Sequence, residues 1–155
     1  MQARKYTEID LSYSTWHRTA SIQRFLGSRQ AYELSMIDLD ATMWIEYNQV
    51  SRIPVALIET ARDVGQSYKT YTVTRNLAQM AGLPALLCLY KLGNAPNPIN
   101  RRGEYWLDIQ QFRVLRLTPD FTGQWSVLTP QQYAEMLVRM RNFGESLAVR
   151  QQLDF

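Results

Sequence analysis

Cysteine and histidine are nearly absent from this chain: its 155 residues hold one of each, Cys88 and His17. That scarcity excludes an internal disulfide framework and a zinc centre assembled from Cys and His. Cys88 sits in the apolar run LPALLCLYKL, which reads as a buried reduced thiol and suits a cytoplasmic setting. Missing as well are the G-x-x-x-x-G-K-[ST] phosphate loop, G-x-G-x-x-G, H-E-x-x-H and G-x-S-x-G. P-loop nucleotide binding, zincin chemistry and serine or cysteine hydrolysis therefore lack their signatures. No apolar run is long enough to span a bilayer, and the opening MQARKYTEIDLSY has no continuous apolar core of the kind a secretion signal needs. The expectation is a soluble, cytoplasmic protein without a membrane partner.

What is present points to an ordered fold. Hydrophobic residues make up 46% of the chain, and four Trp, nine Tyr and five Phe argue against disorder, so residues 1–155 read as a single domain with a substantial core. A net charge of +3 tilts the partner towards a polyanion, because Lys and Arg that neutralise phosphates release condensed counterions.

Periodicity gives the order of elements. Residues 19–30 place Ile22, Phe25 and Leu26 at helical spacing. Residues 37–47 alternate, with Ile37, Leu39, Ala41, Met43 and Ile45 on one side and Asp38, Asp40, Thr42, Trp44 and Glu46 on the other. NQVSRI supplies a turn, and PVALIETA is an apolar strand suited to cover on both faces, so the two form a hairpin. A helix over 64–80, with Tyr68, Tyr71, Val73, Leu77 and Met80 as its apolar stripe, stops at Gly82 and Pro84. The strand of 83–92 then returns parallel by a right-handed crossover. GNAPNPINRRGE (93–104) reads as a surface loop, FRVLRLTP (112–119) as a strand, and 129–147 as a helix capped by Thr129 with Pro130 at its first position. The fold class expected is α/β, with a mixed sheet flanked by helices.

The question is why such apolar strands carry acids. An interior carboxylate must be paired with a cation, bound to a metal or set at a cleft. A turn centred between Val50 and Ser51 puts Glu59 opposite Thr42 with Asp40 as its diagonal neighbour on the same face; a slip of one residue turns Glu59 away from both aspartates. Convergent Asp and Glu oxygens are hard ligands suited to Mg²⁺ or Mn²⁺. Lys69 and Gln66, on the first turns of the helix that follows Glu59, are candidates to reach an attacking water or a phosphate. The competing reading of these acids is exposure to solvent or pairing with Arg18, Arg52, Arg62 or Arg75. His17, beside Trp16, suits a cap or loop role, with ligand or general base as the alternative.

The run DLD…EY…RIPVALIETA, preceded by WHR, resembles the core of the PD-(D/E)XK phosphodiesterases, the restriction-endonuclease-like nucleases, over residues 13–92. The resemblance implies a Mg²⁺- or Mn²⁺-dependent nuclease acting on DNA, with Asp40 (or Asp38) and Glu59 as metal ligands. The family's lysine falls two places after the glutamate, where this chain has Ala61. Some members carry that lysine on the neighbouring helix, which makes Lys69 the substitute, with Gln66 alongside as a further catalytic candidate. Arg101 and Arg102 are candidates for phosphate contact. The alternative is a non-catalytic nucleic-acid-binding or regulatory protein on a degenerate nuclease fold.

Overall fold

A computed structural model describes residues 22–34, 39–47, 51–66, 69–103 and 105–153. The chain divides into two units, Met1–Asp38 and Leu39–Phe155. In the first, helix α1 spans Gln23–Glu33 and is broken at Gly27, whose φ of 76° and ψ of 166° lie outside the helical region. Only glycine takes that conformation without a steric penalty. The stripe expected from Ile22, Phe25 and Leu26 is buried at Ile22 alone, and Phe25 and Leu26 are exposed.

The second unit runs β1 (Ala41–Tyr47), β2 (Ser51–Arg62), α2 (Thr72–Ala81), β3 (Ala85–Pro96), β4 (Leu107–Thr118), β5 (Trp125–Leu128) and α3 (Pro130–Leu153). Its five strands form one mixed sheet in the order β1-β2-β3-β4-β5. β1 and β2 are the antiparallel hairpin, β2 and β3 are parallel across α2, and β3-β4-β5 continue antiparallel. The α/β class and the hairpin-plus-crossover are thus as the sequence suggests. The additional strand, β5, has four residues, too few for alternation to register.

Each face of the sheet is covered. Leu57, Ala85, Leu87, Leu115 and Leu117 pack with Ala78 of α2 on one side. Ala56, Leu86, Ile58, Cys88 and Val114 meet Tyr133, Met136, Leu137 and Met140 of α3 on the other. Fully burying one such Leu contributes about 1.5–3 kcal/mol, so this double cover fixes which way every β2 side chain points. Cys88 is a buried free thiol, and that burial raises its pKa. Among the described residues no helix is long and apolar enough to cross a membrane.

Helix ends follow local chemistry. Thr129 Oγ1 accepts from the Gln132 N–H at 3.2 Å while Gln132 Oε1 accepts from the Thr129 N–H at 2.9 Å, a reciprocal capping box that opens α3. Gly82, with φ of 67°, closes α2, its N–H reaching the carbonyls of Ala78 and Gln79. α2 itself starts at Thr72, well after Val64, the expected first residue, so Gln66 and Lys69 lie in the segment before the helix and not on its first turns. Its buried face is Thr74 and Ala78, whereas Val73, Leu77 and Met80 of the expected stripe are exposed. Small side chains let the helix sit close against Leu57 and Leu87, a packing demand that hydrophobicity alone does not encode.

The hairpin contains one irregularity that matters for the site. Near the tip Tyr47 pairs with Ser51 and Trp44 with Pro54; then Met43 pairs with Ala56, leaving Val55 without a counterpart on β1. Pro54 has no N–H to contribute, and a bulge beside it accommodates that loss. Helix α3 lies against the bulge at Gly144, where an added Cβ would stand 2.1 Å from the Val55 carbonyl oxygen.

Candidate functional site

The bulge decides where the acids fall. Had the register at the tip continued unbroken, Glu59 would lie opposite Leu39, with its side chain on the other face from that of Asp40. With Val55 set out of the ladder, Ala41 pairs with Ile58, and one step further Asp40 comes directly opposite Glu59 on the α2 side. The expected diagonal placement is therefore corrected to a direct one. The tip register, with Tyr47 opposite Ser51, differs from the one expected for a turn between Val50 and Ser51, and the bulge restores the parity that this difference would have lost.

Glu59 is 2% exposed, an acid in the middle of an apolar strand. One oxygen, Oε1, accepts a hydrogen bond from the Thr74 hydroxyl. Thr74 is itself 2% exposed and stands in the first turn of α2, so Glu59 also faces the positive end of the helix dipole. The other oxygen, Oε2, accepts from Lys69 Nζ at 3.1 Å. Lys69 Nζ donates in addition to Asp40 Oδ2 at 2.5 Å and to the Thr60 carbonyl at 2.5 Å. Asp40 Oδ2 further accepts the Thr60 N–H at 2.8 Å. Asp40, Glu59 and Lys69 thus meet at one point, with the side chains of Lys69 and Asp40 29% and 31% exposed.

Electrostatics follow from this geometry. Burial acts to raise the Asp40 carboxyl, but hydrogen bonds from Lys69 and from the Thr60 N–H outweigh it and hold the group below its usual range. Burial likewise acts to lower the Lys69 ammonium, and its bonds to Asp40 and Glu59 override that and raise it. Asp40 is ionised and Lys69 protonated at neutral pH.

The segment that delivers Lys69 is held from below by the sheet. Arg113 of β4 grips Asp63 with two donors, Nη2 to Oδ1 at 3.1 Å and Nε to Oδ2 at 3.3 Å. Its Nη2 also donates to the Gln66 carbonyl at 2.7 Å, and its guanidinium lies over the Trp125 ring, 4.8 Å from the centroid. The Gly65 N–H bonds to Asp63, and that contact, with Arg113, keeps the Asp63 carboxyl below its ordinary value.

Other sequence-derived candidates are placed as follows. Gln66 is not turned towards the acids: its Oε1 accepts from the Val64 N–H at 2.7 Å and its Nε2 donates to the Arg62 carbonyl at 2.7 Å, so it braces its own loop. Arg52 lies over the Trp44 ring and Arg75 over Phe121, which takes both away from the role of partner to the acids. Arg101 and Arg102 are exposed on the loop after β3. Asp38, His17, Arg18 and Tyr68 lie outside the described residues. Thr74 and Arg113 were not picked out from sequence. A polar residue one turn from Ala78, on the inward side of the helix, is the signal that marks Thr74.

The donor set fits a hard divalent cation. Two carboxylate oxygens and the Thr60 carbonyl converge where Nζ sits, and Mg²⁺ accepts a few such oxygens while keeping several waters. Among the described residues no three His, Cys, Asp or Glu side chains gather, so an ion here would rest on two carboxylates and one main-chain oxygen. Comparison of the chain with protein-family models, with curated proteins and with solved structures finds no match in any of the three.

Proposed function

We propose that this protein is a Mg²⁺- or Mn²⁺-dependent phosphodiesterase acting on DNA, built on a restriction-endonuclease-like sheet in a cytoplasmic setting. The observation that carries the reading is the convergence of Asp40, Glu59 and Lys69 on one point, with the cation arriving from beyond β2 to replace the one that Ala61 cannot supply. The hairpin followed by a helix and a parallel strand supports the same fold. DNA as substrate rests on the sequence resemblance and the net positive charge.

Asp40 and Glu59 would hold the ion, with the Thr60 carbonyl beside them. When bound, the ion supplies Lewis acidity, which activates a water and neutralises charge on a phosphoryl oxygen. Thr74 fixes the Glu59 carboxylate so that Oε2 faces the site. Lys69 keeps its proton and would supply a positive charge at the rim of the site, near the negative charge that builds in phosphoryl transfer. Arg113, through Asp63 and the Gln66 carbonyl, holds the backbone from which Lys69 projects.

The test is incubation of the full chain with supercoiled plasmid and with short duplexes in Mg²⁺, Mn²⁺ or EDTA. Metal-dependent cleavage is expected, abolished by Glu59→Gln and reduced about 10²-fold or more by Lys69→Ala. Absence of cleavage with either ion refutes the enzyme reading. A second reading, a non-catalytic nucleic-acid binder, is favoured by one feature: Lys69 already pairs with both carboxylates without any ion. DNA binding indifferent to metal and to Glu59→Gln would select it. If no nucleic acid is retained even at low salt, where phosphate attraction is strongest, a protein–protein adaptor is selected instead.

A further inference from the structure

We propose that Lys69 is the resident cation of this site, and that a divalent ion binds by expelling its ammonium from between Asp40, Glu59 and Thr60. The inference rests on the metal-dependent reading above and specifies how that site is regulated.

An ammonium has three donors and no acceptor. All three donors of Lys69 are matched, to Asp40 Oδ2 at 2.5 Å, Glu59 Oε2 at 3.1 Å and the Thr60 carbonyl at 2.5 Å. A lysine waiting for a phosphate would leave a donor open towards solvent; this one is saturated by protein oxygens. Those three oxygens are also the set an incoming ion would take. Two cations within about 4 Å of each other repel strongly, so ion and ammonium cannot share the three oxygens. Every increment by which the acids hold Lys69 is therefore subtracted from their affinity for metal.

The surroundings limit what moves. Arg113 ties down Asp63 and the Gln66 carbonyl, so the backbone before Lys69 is anchored to β4. Displacement falls to the lysine side chain, a flexible four-carbon stem that can swing its charge to the rim of the site. Glu59 keeps its orientation during the exchange because Thr74 holds Oε1 while Oε2 changes partner. Without the ion the ammonium occupies this point, and metal occupancy sets in only above the concentration at which the ion outcompetes it.

Calorimetric titration of the whole chain with MnCl₂ tests this. Lys69→Met and Lys69→Gln are expected to bind Mn²⁺ more tightly than the unsubstituted protein by roughly tenfold or more, the direction set by removing a like charge about 4 Å from the ion. Glu59→Gln is expected to abolish binding with or without Lys69. In the unsubstituted, ¹⁵N-labelled protein at low temperature, a protected Lys69 ammonium signal is expected to vanish as MgCl₂ saturates the site. Glu59-dependent binding that is no tighter in either Lys69 variant overturns the displacement and leaves the metal site standing. An ammonium signal that persists at saturating Mg²⁺ does the same. Absence of Glu59-dependent binding in every protein overturns both the displacement and the reading it rests on.

Discussion

Replacing Thr74 with valine isolates the support beneath Glu59. The two side chains have nearly the same shape, so the change opens no cavity, but it removes the hydroxyl that donates to Glu59 Oε1. Both residues are 2% exposed, which leaves no route for water to restore the bond. A hydrogen bond to a charged acceptor contributes about 1.5–3 kcal/mol, and a buried methyl gained in exchange returns at most about 0.8 kcal/mol. The expected loss is about 2 kcal/mol. For a chain of this size, with a urea slope of about 2 kcal/mol/M, the midpoint should fall by roughly 1 M at unchanged slope. Thr74→Ser keeps the hydroxyl and should recover most of the difference. A Val variant within about 0.5 kcal/mol of the parent, or a Ser variant as unstable as Val, refutes the assignment of Thr74 as the residue that holds Glu59.

Gly144→Ala sets two arguments against each other. Helix propensity favours alanine by about 1 kcal/mol, yet an added Cβ stands 2.1 Å from the Val55 carbonyl, so melting should show a net loss of about 2 kcal/mol or more. Arg113→Met should raise amide exchange in residues 63–66, and Arg113→Lys should not restore protection, because an ammonium cannot reproduce the two-pronged grip on Asp63. The Asp63 carboxyl, held down by the Gly65 N–H and Arg113, lies below its ordinary value of 3.8 in the folded protein. Its contribution is complete above the unfolded value and is lost as pH falls through the folded one, so stability should decline below about pH 4. Asp63→Asn should flatten that decline in urea titrations between pH 6 and 2.

Much of the fold was legible because it rests on local rules. Thr129 and Pro130 announce a helix start, Gly82 a helix stop, and the alternation through Met43 a strand. The acids were legible as a pair for the same reason: Glu59 in an apolar run demands a partner. What escaped depends on distance along the chain. The Val55 bulge is shaped by Pro54 on one side and Gly144 of α3 on the other, nearly ninety residues away. The inward face of α2 is chosen by how closely it must approach Leu57 and Leu87, so Thr74 and Ala78 displaced the larger Val73 and Leu77. Gln66 looked catalytic from its place after Glu59, but the tight turn at Gly65 bends it back onto its own backbone.

The Val55 bulge also bears on how freely this protein's length can drift. It divides the hairpin into an outer part, framed by Tyr47 and Ser51, and an inner part that is pinned to β3 and carries the acids. Insertions or deletions at the tip can be absorbed at that joint before they reach Asp40, whereas the same change between Ala56 and Glu59 would rotate the glutamate into the apolar layer beneath α3. Natural variants of this chain should therefore differ in size at the tip and hold constant the spacing from Ala56 to Glu59.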